Sequence, residues 1–219
     1  MSTSDGASGD AVPRRPYHHG DLRNALIDAG VELAAQGGPA AVGVRPAARI
    51  VGVTPTAAYR HFSAGEELLQ AVRDHAFDHL AGAMRDNIAR IPAAGDPATQ
   101  AIHRLHAIAR AYIEVAPSNP GLFQAATSHA GLPPVATADA TPTAFGMLVQ
   151  TLDDLVDIGV LPADRRPLAE IVAWSAVHGF ARLIADGPLG QLPSSARNAA
   201  SERVIEMVSN TYGRPRADP

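Results

Sequence analysis

The sequence predicts an all-α protein, a three-helix helix-turn-helix head followed by a larger helical body. Three observations lead there. Apolar residues recur at helical spacing nearly throughout the 219 residues. Alternating β-branched runs joined by hairpin turns, the signature of strands, are scarce. Gly and Pro fall where the periodic segments break, as helix stops and first-turn residues do.

The elements follow in order. Leu22, Leu26, Ala29 and Leu33 share one face of a helix over about 21–36, with Asp21 as its N-cap and Gly37-Gly38-Pro39 as its stop. A short helix at about 44–51 carries Pro46 in its first turn, where a missing N–H costs little, and ends at Gly52. Thr54 caps a third helix with Pro55 at its first position. Ser63-Ala64-Gly65 interrupts the pattern, and Glu66-Glu67 open a long helix to about Arg90, acids at its positive end. IPAAGDPA is a linker, and further helices fit about 97–116, 119–128, 142–159, 165–186 and 196–213. The stretch 129–142, HAGLPPVATADATP, is the longest loop, and no internal repeat occurs. The chain divides into a disordered, basic-ended arm (1–16), the head (17–63), the body (64–214) and a short tail (215–219).

Composition narrows the function classes. There is no cysteine, so neither a disulfide framework nor a thiolate site is available. All 18 basic residues are Arg, so phosphate contacts fall to Arg, His, Tyr, hydroxyls or backbone. The N-terminus has no apolar signal-peptide core, and no run of about 18 apolar residues follows. The expectation is a cytoplasmic protein with no membrane partner. The formal net charge is −4, yet residues 14–73 hold seven Arg against five Asp/Glu, plus three His, which permits a DNA-binding end.

The stretch VTPTAAYRHF, 53–62, concentrates the chemistry. Two short helices about Gly52-Val53 have helix-turn-helix geometry, and small Ala48 lets them approach. Val53 and Phe62 turned inward leave Thr54, Thr56, Ala57, Arg60 and His61 toward solvent or a partner, with Tyr59 burying a ring edge and presenting its hydroxyl. In a recognition helix Thr56 meets a base or phosphate, Ala57 a thymine methyl, Tyr59 and His61 phosphates, and Arg60 phosphate or guanine. A buried helical corner with solvated polar residues is the competing reading.

From YHHGDLRNALIDAGVELAAQGG through VGVRPAARIVGVTPTAAYRHF to EELLQAV, residues 17–72 resemble the N-terminal domain of the TetR family of transcriptional regulators. That resemblance implies a DNA-binding head on an all-helical homodimer. Carried over, Arg45, Pro55, Thr56, Ala57, Tyr59 and His61 match DNA-contact positions, Thr54 the usual cap, and Arg60 a variable contact. Two positions depart. Gly65 stands where the family often has a phosphate-reaching Lys, leaving only backbone N–H groups there. Gly43 replaces the preferred Ser or Thr cap. Arg14 and Arg15 sit on the preceding arm, which reads equally as a minor-groove arm or a solubilising tail.

AWSAVHGFARLIADGPL, 173–189, resembles the Trp-His-Gly motif of one group of TetR C-terminal domains, with Trp174, His178 and Gly179 in place. The resemblance implies that 64–214 binds a small-molecule effector and dimerises through its last two helices. Leu168, Ile171, Val172, Leu183 and Ile184 would supply apolar surface on one, and Val204, Ile205, Met207 and Val208 on the other. Gly179 allows a neighbouring helix close. Ligand-pocket candidates are Phe123, Phe145, Met147, Trp174 and His178, with Met84, His103, His106 and Tyr112 behind them.

His75 and His79 are four apart on one helix face, and His103 and His106 are three apart. With no H-E-x-x-H motif and no cysteine beside either pair, solvated histidines are favoured over a metal site. No phosphate-cradling Gly loop, G-x-S-x-G or Ser/His/Asp set is present, and Asp153, Asp154 and Asp157 read as a solvated helix face. The expectation is therefore a non-enzymatic, cofactor-free, ligand-responsive regulator, most simply a repressor, that binds a palindromic operator as a homodimer and is released by a small molecule. The alternative is a helical metal- or small-molecule-binding protein whose helix-turn-helix is structural.

Overall fold

The protein is described by a computed structural model, which covers residues 22–128 and 141–213. The predictions for Asp21, for the arm with Arg14 and Arg15, for most of the 129–142 loop and for the tail lie outside the described residues. Among those described there are nine α-helices and no β-strand: α1 (Leu22–Gly37), α2 (Val44–Val51), α3 (Pro55–Tyr59), α4 (Gly65–Ala89), α5 (Pro97–Ser118), α6 (Pro120–Thr127), α7 (Ala144–Asp157), α8 (Ala169–Ala185) and α9 (Ser194–Gly213). The largest boundary difference is at α8. A 3₁₀ turn over Ala163–Arg165 precedes it, and Leu168, at φ 62°, takes the left-handed conformation before the helix starts.

Two hydrophobic clusters organise these helices. The first gathers α1, α2 and α3 with the start of α4: Leu26, Ala47, Ala58, Phe62, Leu68 and Val72 are all buried there. Phe62 is fully enclosed and Val53 half-buried against the same cluster, as their spacing predicted. Burying a Phe side chain contributes about 1.5–3 kcal/mol. Ala125 and Leu122 of α6 also belong to this cluster, so a helix far along the chain completes the core beneath the head. The second cluster joins the rest of α4 to α5, α7, α8 and α9, with Leu105, Leu152, Leu155 and Ile205 wholly or almost wholly enclosed.

Helix α6 belongs to both cores. Phe123 faces the second cluster while Leu122 and Ala125 face the first. Its Gly121 lies against the last turn of α1 so closely that a Cβ would meet the Ala34 and Ala35 carbonyl oxygens. Arg73 of α4 is buried beside α6. Its Nε donates to the Ala125 carbonyl at 3.2 Å and its Nη2 to Ser128 Oγ at 3.3 Å, while Nη1 reaches Glu66 at 3.2 Å. A buried guanidinium needs such partners, because desolvating an unpaired charge costs several kcal/mol.

The predicted dimer surface divides. Ile184, Ile205 and Val208 are buried inside their own protomer and are not available to a partner. Leu168, Val172, Leu183 and Met207 are exposed, with Leu168 at 67% and Val172 at 56%. The aspartates of α7 are also not simply solvated: Asp153 accepts from Arg166 at 2.6 Å and Asp154 pairs with Arg104 at 3.1 Å.

Candidate nucleic-acid interface and ligand cavity

The turn between α2 and α3 is closed by local chemistry. Gly52, at φ 79°, takes the left-handed conformation that a Cβ would disfavour, and its N–H bonds the carbonyls of Ala48 at 3.0 Å and Arg49 at 3.3 Å. Val53 N–H also reaches the Ala48 carbonyl at 3.0 Å. Thr54 caps α3 by accepting from Ala57 N–H at 3.2 Å through its hydroxyl oxygen, which leaves the hydroxyl proton free to donate outward. Ala58 and Phe62 face inward and fix the rotation of α3.

That rotation sets what faces outward. Thr54, Pro55, Thr56, Tyr59 and Arg60 are exposed on α3 and its ends, and Arg45 is exposed on α2. Ala57 and His61 are half-buried, Ala57 touching the head's core. Tyr59, at 41% exposure, stands further out than the buried ring edge predicted for it. The fold thus gathers all eight predicted contact residues about one short helix and its neighbour. The described head, residues 22–63, carries Arg23, Arg45, Arg49 and Arg60 against Asp28 and Glu32, a local cationic excess. Arg23 is partly engaged, its guanidinium lying 4.9 Å from the centre of the Phe62 ring. At the start of α4, Ser63 N–H and Oγ both donate to Glu67 at 2.7 and 2.9 Å. These bonds hold the Glu67 carboxyl below its usual range.

In the body, Tyr112, Trp174, His178, Phe123 and Phe145 form a connected aromatic group, neighbouring ring centres lying 5.7–6.1 Å apart. Trp174 Nε1 donates to the Tyr112 hydroxyl at 3.3 Å, and that hydroxyl lies 2.8 Å from His178 Nδ1. An indole N–H can only donate, so Tyr112 accepts from Trp174, and its hydroxyl and His178 Nδ1 share one further hydrogen bond. Burial, and then the nearby Arg182, hold His178 below the ordinary histidine value. Burial pushes the Tyr112 hydroxyl up to about 12, so it stays protonated.

Phe145 and Trp174 border a cavity of about 40 Å³ together with Met84, Tyr112 and other apolar residues. A single water needs roughly 10–15 Å³ of such space, so the cavity holds a few waters at most, and its apolar lining favours leaving it dry. Met147, buried in the core, does not border it, and His178 stands behind Tyr112 and Trp174, which do. Phe123 instead borders a second, larger cavity of about 340 Å³ where α1, α4, α5 and α6 meet. His75 and His79 lie there too. His103 and His106 face a groove between α4 and α5, where His106 Nε2 lies 2.8 Å from Ser209 Oγ of α9. Among the described residues no group of three or more His, Asp or Glu is placed to hold a metal ion, and no helix is long and apolar enough to cross a membrane.

Sequence reasoning missed Arg73 and Gly121. Nothing in a helical pattern says that an Arg between Val72 and Asp74 will be buried, or that a Gly after Asn-Pro meets a distant backbone.

Comparison with known proteins agrees with this architecture. Residues 26–72 match the model of the bacterial regulatory proteins of the tetR family. Residues 105–208 match a tetracyclin repressor-like C-terminal domain, and the two together span well over half of the chain. No curated relative matches. Among solved structures, a protein of unknown function from Rhodococcus sp. RHA1 is 23% identical, with a TM-score of 0.71 over 92% of this chain and 100% of its own. A TetR family transcription regulator from Marinobacter aquaeolei VT8 is 19% identical, with a TM-score of 0.61 over 90% of this chain and 97% of its own. AibR, solved in complex with isovaleryl coenzyme A and operator DNA, is 15% identical, with a TM-score of 0.54 over 89% of this chain and 99% of its own. With both of its regions matched and an exposed helix-turn-helix on an all-helical body, the chain belongs to the TetR family of transcriptional regulators.

Proposed function

We propose that this protein is a ligand-responsive repressor that binds a palindromic operator as a homodimer and is released by a small molecule. The observation that carries the proposal is the outward row on α3. Thr54, Thr56, Tyr59 and Arg60 are exposed beside Arg45 while Ala58 and Phe62 lock the helix from behind. Such a short helix presents its residues to base edges and phosphates in the major groove. Two heads related by a twofold axis then read successive grooves about 34–36 Å apart.

The twofold contact falls to α8 and α9. Val172 and Leu183 lie on one face of α8, with Leu168 exposed just before its first turn, and Gly179 lies between the two with no described atom within 4 Å of its missing side chain. A second copy packed there would bury this stripe together with Met207. The effector acts only if it favours one arrangement of the heads over another. The AibR complex supports the pairing of a ligand with operator DNA on this fold.

The test is fluorescence anisotropy of the purified protein against DNA from its own upstream region at two salt concentrations, with scrambled DNA as control. The expected result is tight, sequence-preferring binding whose log K falls by about 0.9 per neutralised phosphate for each unit of log salt. Alanine at Tyr59 or Arg45 should weaken it by about 1–3 kcal/mol without unfolding the protein. Equal binding to scrambled DNA, or no effect of either substitution, would overturn the assignment of this face.

A further inference from the structure

The two cavities differ in a way that bears on where the effector binds. The one bordered by Tyr112, Phe145 and Trp174 measures about 40 Å³. Ligand pockets for small organic molecules run to about 300–1,000 Å³, so this one is too small without repacking. The cavity at the joint of α1, α4, α5 and α6 measures about 340 Å³ and is already within that range, and unlike the grooves of about 300, 380 and 550 Å³ elsewhere on the body it has no Arg, Asp or Glu in its lining.

Its walls come from both halves of the molecule. Val31 and Leu122 pack on the head's core, whereas Phe77 and Phe123 pack on the body's core. Its walls are mainly apolar, and its polar lining is His75 and His79, one turn apart on α4, with Ser118, Asn119 and Thr127, of which the Ser118 and Thr127 hydroxyls donate to the Val115 and Phe123 carbonyls and Asn119 Oδ1 accepts from Leu122 N–H. Both rings are exposed, and neither makes a hydrogen bond among the described residues. Among the described residues no Arg, Asp or Glu lines the cavity, and Arg73, two residues before His75, is engaged by Ala125, Ser128 and Glu66. An anion would therefore meet no guanidinium on these walls. A neutral molecule meets apolar walls and two rings able to donate or accept.

We infer that this joint cavity is the effector site, and that it takes a neutral, mainly apolar molecule whose carbonyl or hydroxyl group bonds His75 or His79. The inference rests on the ligand-responsive reading above and specifies its site. An occupant held between Val31 of the head and Phe77 of the body contacts both, so its affinity depends on how the head sits. That is the differential binding a ligand switch requires.

The test uses the full chain and the neutral ketone dye prodan, 6-propionyl-2-dimethylaminonaphthalene, followed by its emission shift. Saturable binding is expected. Filling the joint cavity with Val115→Phe or, from its exposed edge, Ser118→Phe should weaken binding at least tenfold. His79→Ala should weaken it about fivefold, one hydrogen bond's worth. Ala109→Leu, which fills only the small cavity, should leave it unchanged. No saturable binding, or binding lost in Ala109→Leu but kept in both Phe variants, would overturn the inference. Operator binding by the same preparation is measured alongside. If DNA is not bound while prodan binds as expected, the regulator reading fails and the site stands. If DNA is bound but prodan is not, the site fails alone.

Discussion

Replacing Gly121 with alanine should weaken the protein although it places a better helix former in a helix. Gly121 is the second residue of α6. From propensity alone, Gly→Ala inside a helix gains up to about 1 kcal/mol, and less near an end. The tertiary structure reverses the sign. An added Cβ would stand 2.9 Å from the Ala35 carbonyl oxygen, 3.2 Å from its carbon, and closer still to the Ala34 oxygen. These are backbone atoms in the last turn of α1, so no rotamer change relieves the clash and α6 must back away from the head. Overpacking of this kind costs about 1–3 kcal/mol, leaving a net loss of about 1–2 kcal/mol. In urea, with a slope of about 1–3 kcal/mol/M, the midpoint should fall by roughly 0.5–1 M. Gly82→Ala is the internal comparison. The same substitution in mid-α4 meets nothing nearer than Arg85 Nη2 at 3.9 Å and should raise the midpoint. Both are measured at one protomer concentration, since association shifts apparent stability. A midpoint for Gly121→Ala that stays level or rises would refute the close packing of α6 on α1.

Three other outcomes follow from the structure. Thr54→Ala removes the cap on α3 and should cost about 1 kcal/mol in thermal or urea unfolding, while Thr54→Ser retains most of it. Equal loss for both would mean that the hydroxyl does not cap. His178 and His106 are both held below the ordinary value, mainly by burial, so as pH falls through about 6.5 the unfolded chain takes up protons that the folded chain does not. Stability should be full above that pH and decline toward pH 5, by at most about 1.4 kcal/mol per pH unit for each ring, read from urea midpoints at pH 7.5 and 5.5. An unchanged midpoint would show both rings to be solvated. Val172→Asp puts a charge in the exposed stripe of α8 and should shift the protein from dimer to monomer in sedimentation velocity. A dimer of undiminished stability would move the interface elsewhere.

The helices and the reading face were legible in the residues because both rest on local rules. Periodicity located nine helices to within a few residues, and Gly52 and Thr54 closed the turn and capped α3 as their chemistry requires. With Phe62 inside, helical geometry leaves Thr56 and Arg60 outward, whereas Tyr59 stands further out, and Ala57 and His61 further in, than their positions predict. Local rules stop where two apolar faces compete. Leu183 and Ile184 are adjacent and equally apolar, yet one is exposed and the other buried, and only the packing of α8 on α5 and α9 separates them. Ile205 and Met207 divide in the same way on α9.

By itself the sequence determined the all-helical class, the helix-turn-helix and the residues that face outward from it, because a turn, a cap and a 3.6-residue repeat act over a few neighbouring positions. Tertiary structure alone decided the rest. It seated α6 in both cores, drew Arg73 out of solvent beneath it, pressed Gly121 against α1, and left a small cavity among the aromatic side chains and a large one at the joint. Each of these depends on groups brought together from distant parts of the chain, and packing at crystal-like density leaves no local signal of which groups will meet.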